Sequence, residues 1–142
     1  MTIARLLEGR SGAVFSCTAD MTVRQAVALL AEKRIGALPV LSGSEVAGIF
    51  SERDVIYRLA GEGPEVLDKT VGAVMTAPAV TVAPETDPIA ALALMTRRRI
   101  RHLPVIAEGR MIGFISIGDL VKFRIDRIEA EAEAMRAYIQ AA

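Results

Sequence analysis

A chain of 142 residues is one ordinary domain's worth, and 52% hydrophobic content gives it a real core to bury, with only 4% aromatic residues and no Trp. Seventeen basic residues balance seventeen acidic ones, which argues against bulk electrostatic capture of nucleic acid. No apolar run reaches the ~18 residues a membrane span needs. One cysteine, Cys17, excludes an internal disulfide framework. The opening MTIARLLEGRSG is too polar for a signal peptide, so the expected compartment is the cytoplasm.

In chain order, Thr2–Leu7 predicts a short helical lead-in that ends in loop chemistry at Glu8–Gly12. Ala13–Thr18 is β-prone, and Cys17 within it is expected to pack as a small buried hydrophobe. Thr22 opens a helix: Thr22 with Gln25 fits a capping box, and Val23, Ala26, Val27 and Leu30 share one face. Gly36 is expected to close that helix. Leu38–Leu41 and Val46–Phe50 predict a hairpin around Ser42-Gly43-Ser44-Glu45, and Ser51–Leu59 a second helix, broken at Gly61-Glu62-Gly63-Pro64.

Residues 61–70 are the expected linker, between a first unit at 1–60 and a second at 71–121. Val71–Thr76 echoes the lead-in, Ala79–Val82 predicts a strand, and Asp87-Pro88 is a good helix start with Asp as N-cap and Pro next to it. From there the pattern repeats. Over Thr22–Ile56 and Asp87–Val121, at a constant offset of 65 and without gaps, 11 of 35 positions are identical, among them Leu38, Pro39, Val40, Gly48, Ser51 and Asp54. Two copies are too few for a solenoid, so they are expected to pack against each other. Residues 122–142 extend the last helix. Val121, Ile125, Ile128, Ala132, Met135 and Ile139 step by 4, 3, 4, 3 and 4, an apolar stripe that either packs back on the domain or pairs with another chain.

Catalysis is poorly supplied. One His and one Cys leave metal clusters and Cys–His pairs without members, and no phosphate-loop motif is present. The strongest polar signal is the repeated Ser-x-x-Asp, Ser51/Asp54 and Ser116/Asp119. A capping box explains one copy. The sharper reading uses the same helix start as a ligand site, its N–H groups holding phosphate and its carboxylate a ribose diol, with the strands at 38–41 and 103–106 flanking a base. Both readings can hold at once. Arg53 in the first step faces Gly118 in the second, so the two clefts differ: one offers a guanidinium, the other close backbone approach. Arg97 and Arg98 suit a helix C-terminus, whereas Arg101 and His102 precede a strand and either line a cleft or are satisfied turn residues.

At these residues the chain resembles the cystathionine-β-synthase (CBS) domain family in its tandem-pair, stand-alone bacterial form. The resemblance is carried by Ile35–Val40 with Gly48–Asp54, by Ile100–Val105 with Gly113–Asp119, and by Val71–Thr76. It implies an α+β (mixed α/β) fold of two β-α-β-β-α repeats packed as a pseudo-twofold module, with the C-terminal amphipathic helix added. It also implies adenosyl ligands between the repeats, AMP or NAD(H) being favoured here. Asp54 and Asp119 would hold ribose, and Ser51 and Ser116 phosphate or ribose. Backbone at Gly36, Ala37 and Leu38, and at Arg101, His102 and Leu103, would read adenine, and Ser16 and Thr81 would face the ligand. The function implied is a non-catalytic regulatory module, a homodimer that signals to an unknown effector protein. The rivals are a structural module with empty clefts, a nucleotide-processing enzyme and, more distantly, a nucleic-acid binder.

Overall fold

The computed structural model describes residues 1–10 and 14–141. Its elements in chain order are α1 (Ile3–Glu8), α2 (Val23–Lys33), β1 (Ala37–Ser42), β2 (Glu45–Ser51), α3 (Glu52–Glu62), a 3-10 turn (Pro64–Asp68), α4 (Val71–Val74), α5 (Pro88–Arg98), β3 (His102–Ala107), β4 (Arg110–Ser116) and α6 (Ile117–Ala141). The offset of 65 survives in three dimensions. β1 pairs antiparallel with β2 and β3 with β4, and each hairpin carries a register shift at the same repeat position, Val40/Leu41 and Val105/Ile106. Leu38, Val40 and Phe50 face one core, and Leu103, Val105 and Ile115 the other. Each such side chain taken fully out of water is worth roughly 1.5–3 kcal/mol.

The helix starts follow the sequence. Thr22 and Gln25 form the reciprocal capping box, and Asp87 caps Ala90 with Pro88 at the first helical position. The helix ends do not. Gly36 does not close α2; Arg34, in the left-handed region at φ 53, does so, and Arg99 repeats this at φ 55 after α5. An L-residue there costs about 1–2 kcal/mol. The compensation is a bond reaching back five residues, Ile35 N–H to Leu30 O (3.1 Å) and Ile100 N–H to Met95 O (3.0 Å), with an isoleucine tucked under each end. Gly36 is thereby left to the cleft.

The strands expected at 13–18 and 79–82 are corrected to single bridged residues, Cys17 beside Val40 and Val82 beside Val105; Ala13 lies outside the described residues. Cys17 N–H donates to Pro39 O and Cys17 O accepts the Leu41 N–H, while Val82 N–H donates to Pro104 O and Val82 O accepts the Ile106 N–H. Longer pairing is blocked around Val82 by Pro78 and Pro84, which have no N–H to offer. The helix expected to end at Leu59 runs on to Glu62, and the break falls at Gly63, with φ 83, inside the expected Gly61–Pro64 stretch. Residues 61–70 are no bare connector either: the 3-10 turn sets Val66, fully buried, into the first core.

The two lead-ins are crossed. α1 buries Ile3 in the second repeat's core, with Ile3 and Ala4 N–H donating to Thr86 and Pro84 carbonyls. α4 buries Val71 and Val74 in the first core and is tied by backbone bonds to Met21 and Ala19. Thr76 then pairs with Ile49 on the outer edge of β2 through two 2.9 Å bonds. Gly48 and Gly113, equivalent in the repeat, are where these lead-ins press closest: a Cβ on Gly48 would lie 2.7 Å from Thr76 O, and one on Gly113 2.8 Å from Leu7 Cδ1.

Candidate functional site

Each repeat starts its last helix in the same way. Ser51 Oγ accepts the Asp54 N–H while Asp54 Oδ2 accepts the Ser51 N–H (2.9 Å); Ser116 and Asp119 reproduce both bonds, at 3.2 and 2.7 Å. The next amide is used as well. Glu52 N–H donates to Gly36 O (3.0 Å) and Ile117 N–H to Arg101 O (2.8 Å), fastening each helix start to the start of its strand. The expectation of free first-turn amides for phosphate is therefore reduced, because capping and this tie occupy Glu52 and Asp54. An anion placed here would meet side chains rather than free first-turn amides.

Those side chains converge on a cavity of about 350 Å³ between the repeats, a size suited to a small-molecule site. From the first repeat come Gly36, Ile49, Ser51, Glu52, Arg53, Asp54 and Tyr57; from the second repeat and its approach come Thr76, Pro78–Val80 and Arg99–His102. Three guanidiniums (Arg53, Arg99 and Arg101) outnumber two carboxylates, Glu52 and Asp54. Arg53 Nη1 donates to Arg99 O at 3.0 Å and so spans the two repeats. Thr76 Oγ1 donates to Asp54 Oδ1 at 3.0 Å, steadying the carboxylate. Gly36 leaves space where a Cβ would lie 3.4 Å from Glu52 Oε1 and 3.7 Å from His102 Cε1. The His102 ring stacks on Phe114, with centroids 5.5 Å apart at 13°. Burial, and then the charge on Arg101, hold its pKa below 6.5, so it lines the cavity as a neutral ring at pH 7.

Of the residues singled out in the sequence, Gly36, Ser51, Arg53, Asp54, Arg101 and His102 meet at this cavity. Leu38 and Leu103 turn their side chains into the two cores, and Ala37 is buried outside both clusters, so none of the three offers a side chain to the cavity. Ser16 is half-buried beside Cys17, and Thr81 is exposed next to the lining residues Ala79 and Val80. Ser116, Gly118 and Asp119 do not line the cavity.

The second carboxylate is engaged by the chain's own N-terminal segment. Arg10 pairs with Asp119 Oδ2 and donates from Nη1 to Phe114 O at 2.9 Å. Partial burial works against the Asp119 anion, but the Ser116 N–H and the Arg10 guanidinium outweigh it and hold the carboxyl below the usual 3.8. Sequence reasoning missed Arg10, which no motif marks, and Thr76, whose placement was visible only as the end of the Val71–Thr76 echo. It also gave no role to Arg99, which lies between the helix-end Arg97 and Arg98 and the strand-side Arg101.

Two copies of one small unit, enclosing a cationic cavity beside a capped helix start, define a tandem-repeat module with a site between its halves. The chain belongs to the CBS domain family, whose model matches residues 11–61 and 71–126. It is 40% identical over 129 residues to the mitochondrial CBS domain-containing protein CBSX3 of Arabidopsis thaliana; the match covers 87% of this chain and 63% of that protein, so the chain spans less than two thirds of that relative. A crystallised CBS-domain protein of Burkholderia ambifaria is 39% identical, with TM-score 0.83 over 89% of this chain and 95% of that one. CBSX2, crystallised in complex with AMP, is 25% identical with TM-score 0.73, over 88% and 96% of the two chains. Among the described residues no helix is long and apolar enough to cross a membrane.

Proposed function

We propose that the chain is a non-catalytic regulatory module that binds an adenine nucleotide, AMP or NAD(H), in the cavity between its repeats. The observation that carries this is the convergence of Ser51, Asp54 and Arg53 from one repeat with Arg101 and His102 from the other on one cavity of about 350 Å³. Asp54 offers its carboxylate to the ribose diol, the guanidiniums of Arg53, Arg99 and Arg101 offer charge to phosphate, and the neutral His102 ring borders the base. The likeness to an AMP-bound relative supports the ligand class. Because the lining comes from both repeats, a ligand that fits one relative angle better than another biases that angle, and an effector protein reads the change. The module works as a homodimer. Its working cleft is the one at Asp54, since Arg10 occupies Asp119.

The test is thermal unfolding of nucleotide-stripped protein with AMP, ADP, ATP, NAD, NADH or S-adenosylmethionine. A ligand at 100 times its Kd adds about 2.7 kcal/mol, several degrees for a chain of this size. One ligand class is expected to raise the Tm of wild type and Asp119→Ala but not of Asp54→Ala. Asp54→Asn separates binding from capping, because an amide oxygen still accepts the Ser51 N–H. Nucleotide shifts that persist in Asp54→Asn and Asp54→Ala, or that no nucleotide produces, would overturn the proposal and favour a purely structural module.

A further inference from the structure

α6 runs 25 residues, and its apolar stripe is left open: exposure is 42% at Val121, 49% at Ile125, 47% at Ile128, 62% at Met135 and 66% at Ile139. A different face of the helix is used on the body, where Phe123, Asp126, Arg127 and Ala130 line a groove with Met1 and with Arg5 of α1. The 4-3 spacing puts Ile125, Ala132 and Ile139 in one heptad core position and Val121, Ile128 and Met135 in the other. The flanks of this seam are then fixed. Arg124 and Glu131 fall on one side of it, and Lys122, Glu129 and Arg136 on the other.

We infer that this seam takes the α6 of a second copy of the chain, parallel and in register. The inference rests on the homodimer reading above and adds its polarity. In a parallel pair each flanking residue faces the one five positions further along the other helix. Arg124 then meets Glu129 of the second copy, and Glu131 meets Arg136, each twice by symmetry. Turned antiparallel over its full length, with Val121 opposite Ile139, the same seam sets Glu129 beside Glu129, Glu131 beside Glu131 and Lys122 beside Arg136. Like charges therefore meet on both flanks, with only Arg124 against Tyr138 neutral, and select against that arrangement. The seam covers under three heptads, about 27 Å at 1.5 Å per residue, which is marginal for two helices alone. Ile56, 60% exposed on α3, is the repeat equivalent of Val121, so the first repeat also leaves an apolar residue open at that helix position.

The test uses the full chain carrying Met135→Cys. A parallel pair sets the two new thiols across the seam from each other, so mild oxidation is expected to give mostly covalent dimer, with wild type staying uncrosslinked because Cys17 is buried. Sedimentation of Glu129→Arg is expected to show at least tenfold weaker dimerisation, recovered when Arg124→Glu is added. A wild-type dimer in which Met135→Cys does not link to itself, but does link to Ile125→Cys when the two are mixed, overturns the parallel polarity and leaves the dimer standing. A monomeric wild type overturns both.

Discussion

Gly48 and Gly113 occupy the same repeat position, and alanine at each meets a different obstacle. At Gly48 the added methyl would lie 2.7 Å from the Thr76 carbonyl oxygen and 2.9 Å from Met75 Sδ. The oxygen is backbone, held by the paired Ile49–Thr76 bonds, so it cannot move without loosening both. Overpacking of this kind costs roughly 1–3 kcal/mol, and each strained bond up to about 1 kcal/mol more, against a gain of about 0.4–1 kcal/mol from a stiffer unfolded chain. A net loss of about 2–3 kcal/mol is expected. At Gly113 the obstacle is the end of Leu7, at 2.8 Å, a side chain that can rotate away, and a loss below about 1 kcal/mol is expected. Urea unfolding at constant m-value reads the difference. The Gly48→Ala change also displaces Thr76 from Asp54, so nucleotide-dependent stabilisation should fall with it, whereas Gly113→Ala should keep it. Equal destabilisation by the two substitutions would refute the reasoning.

The remaining predictions concern single side chains. Asp119 has a lowered folded-state pKa, so its contribution is present above 3.8 and is lost as pH falls through the folded value. Arg10→Ala should therefore destabilise by about 0.5 kcal/mol at neutral pH, a figure kept small because both partners are about one-third exposed, and the gap should close in acid; a gap independent of pH would disprove the pairing. Burial pushes the Cys17 thiol up to about 11. At pH 8 only about one part in a thousand is thiolate, so a thiol reagent should label native protein at least a hundredfold more slowly than urea-unfolded protein, and fast native labelling would contradict the burial.

Most of the fold was legible because it was written twice. The capping pairs, the Leu-Pro-Val strands and the hairpins all recur at the offset of 65, and local chemistry is enough to read them. The misreadings were non-local. Arg34 ends its helix only because Ile35 reaches back to Leu30, so the obvious glycine at 36 drew attention away from it. Cys17 and Val82 are β-prone by type yet pair at one residue each, and around Val82 the prolines at 78 and 84 have no N–H with which to lengthen the pairing. Of the residues that line the cavity, Ser51 and Asp54 stand out through the repeat, Arg53 because the copies differ there, and Arg101 and His102 because they lead into a strand. Thr76 does not, because its contact with Asp54 spans 22 residues and depends on where α4 packs. Arg10 has no repeat partner of its own type, and nothing short of the folded chain points to Asp119.

The crossing of the lead-ins has a consequence for how such a duplication persists. A fragment ending before Val71 would lack Val71 and Val74 from its own core, and a fragment starting there would lack Ile3. Neither half is a self-sufficient heir to the ancestral unit. With the segments crossed, the two halves are hostages to each other, free to differ at matching positions, as Arg53 and Gly118 do, but not free to part.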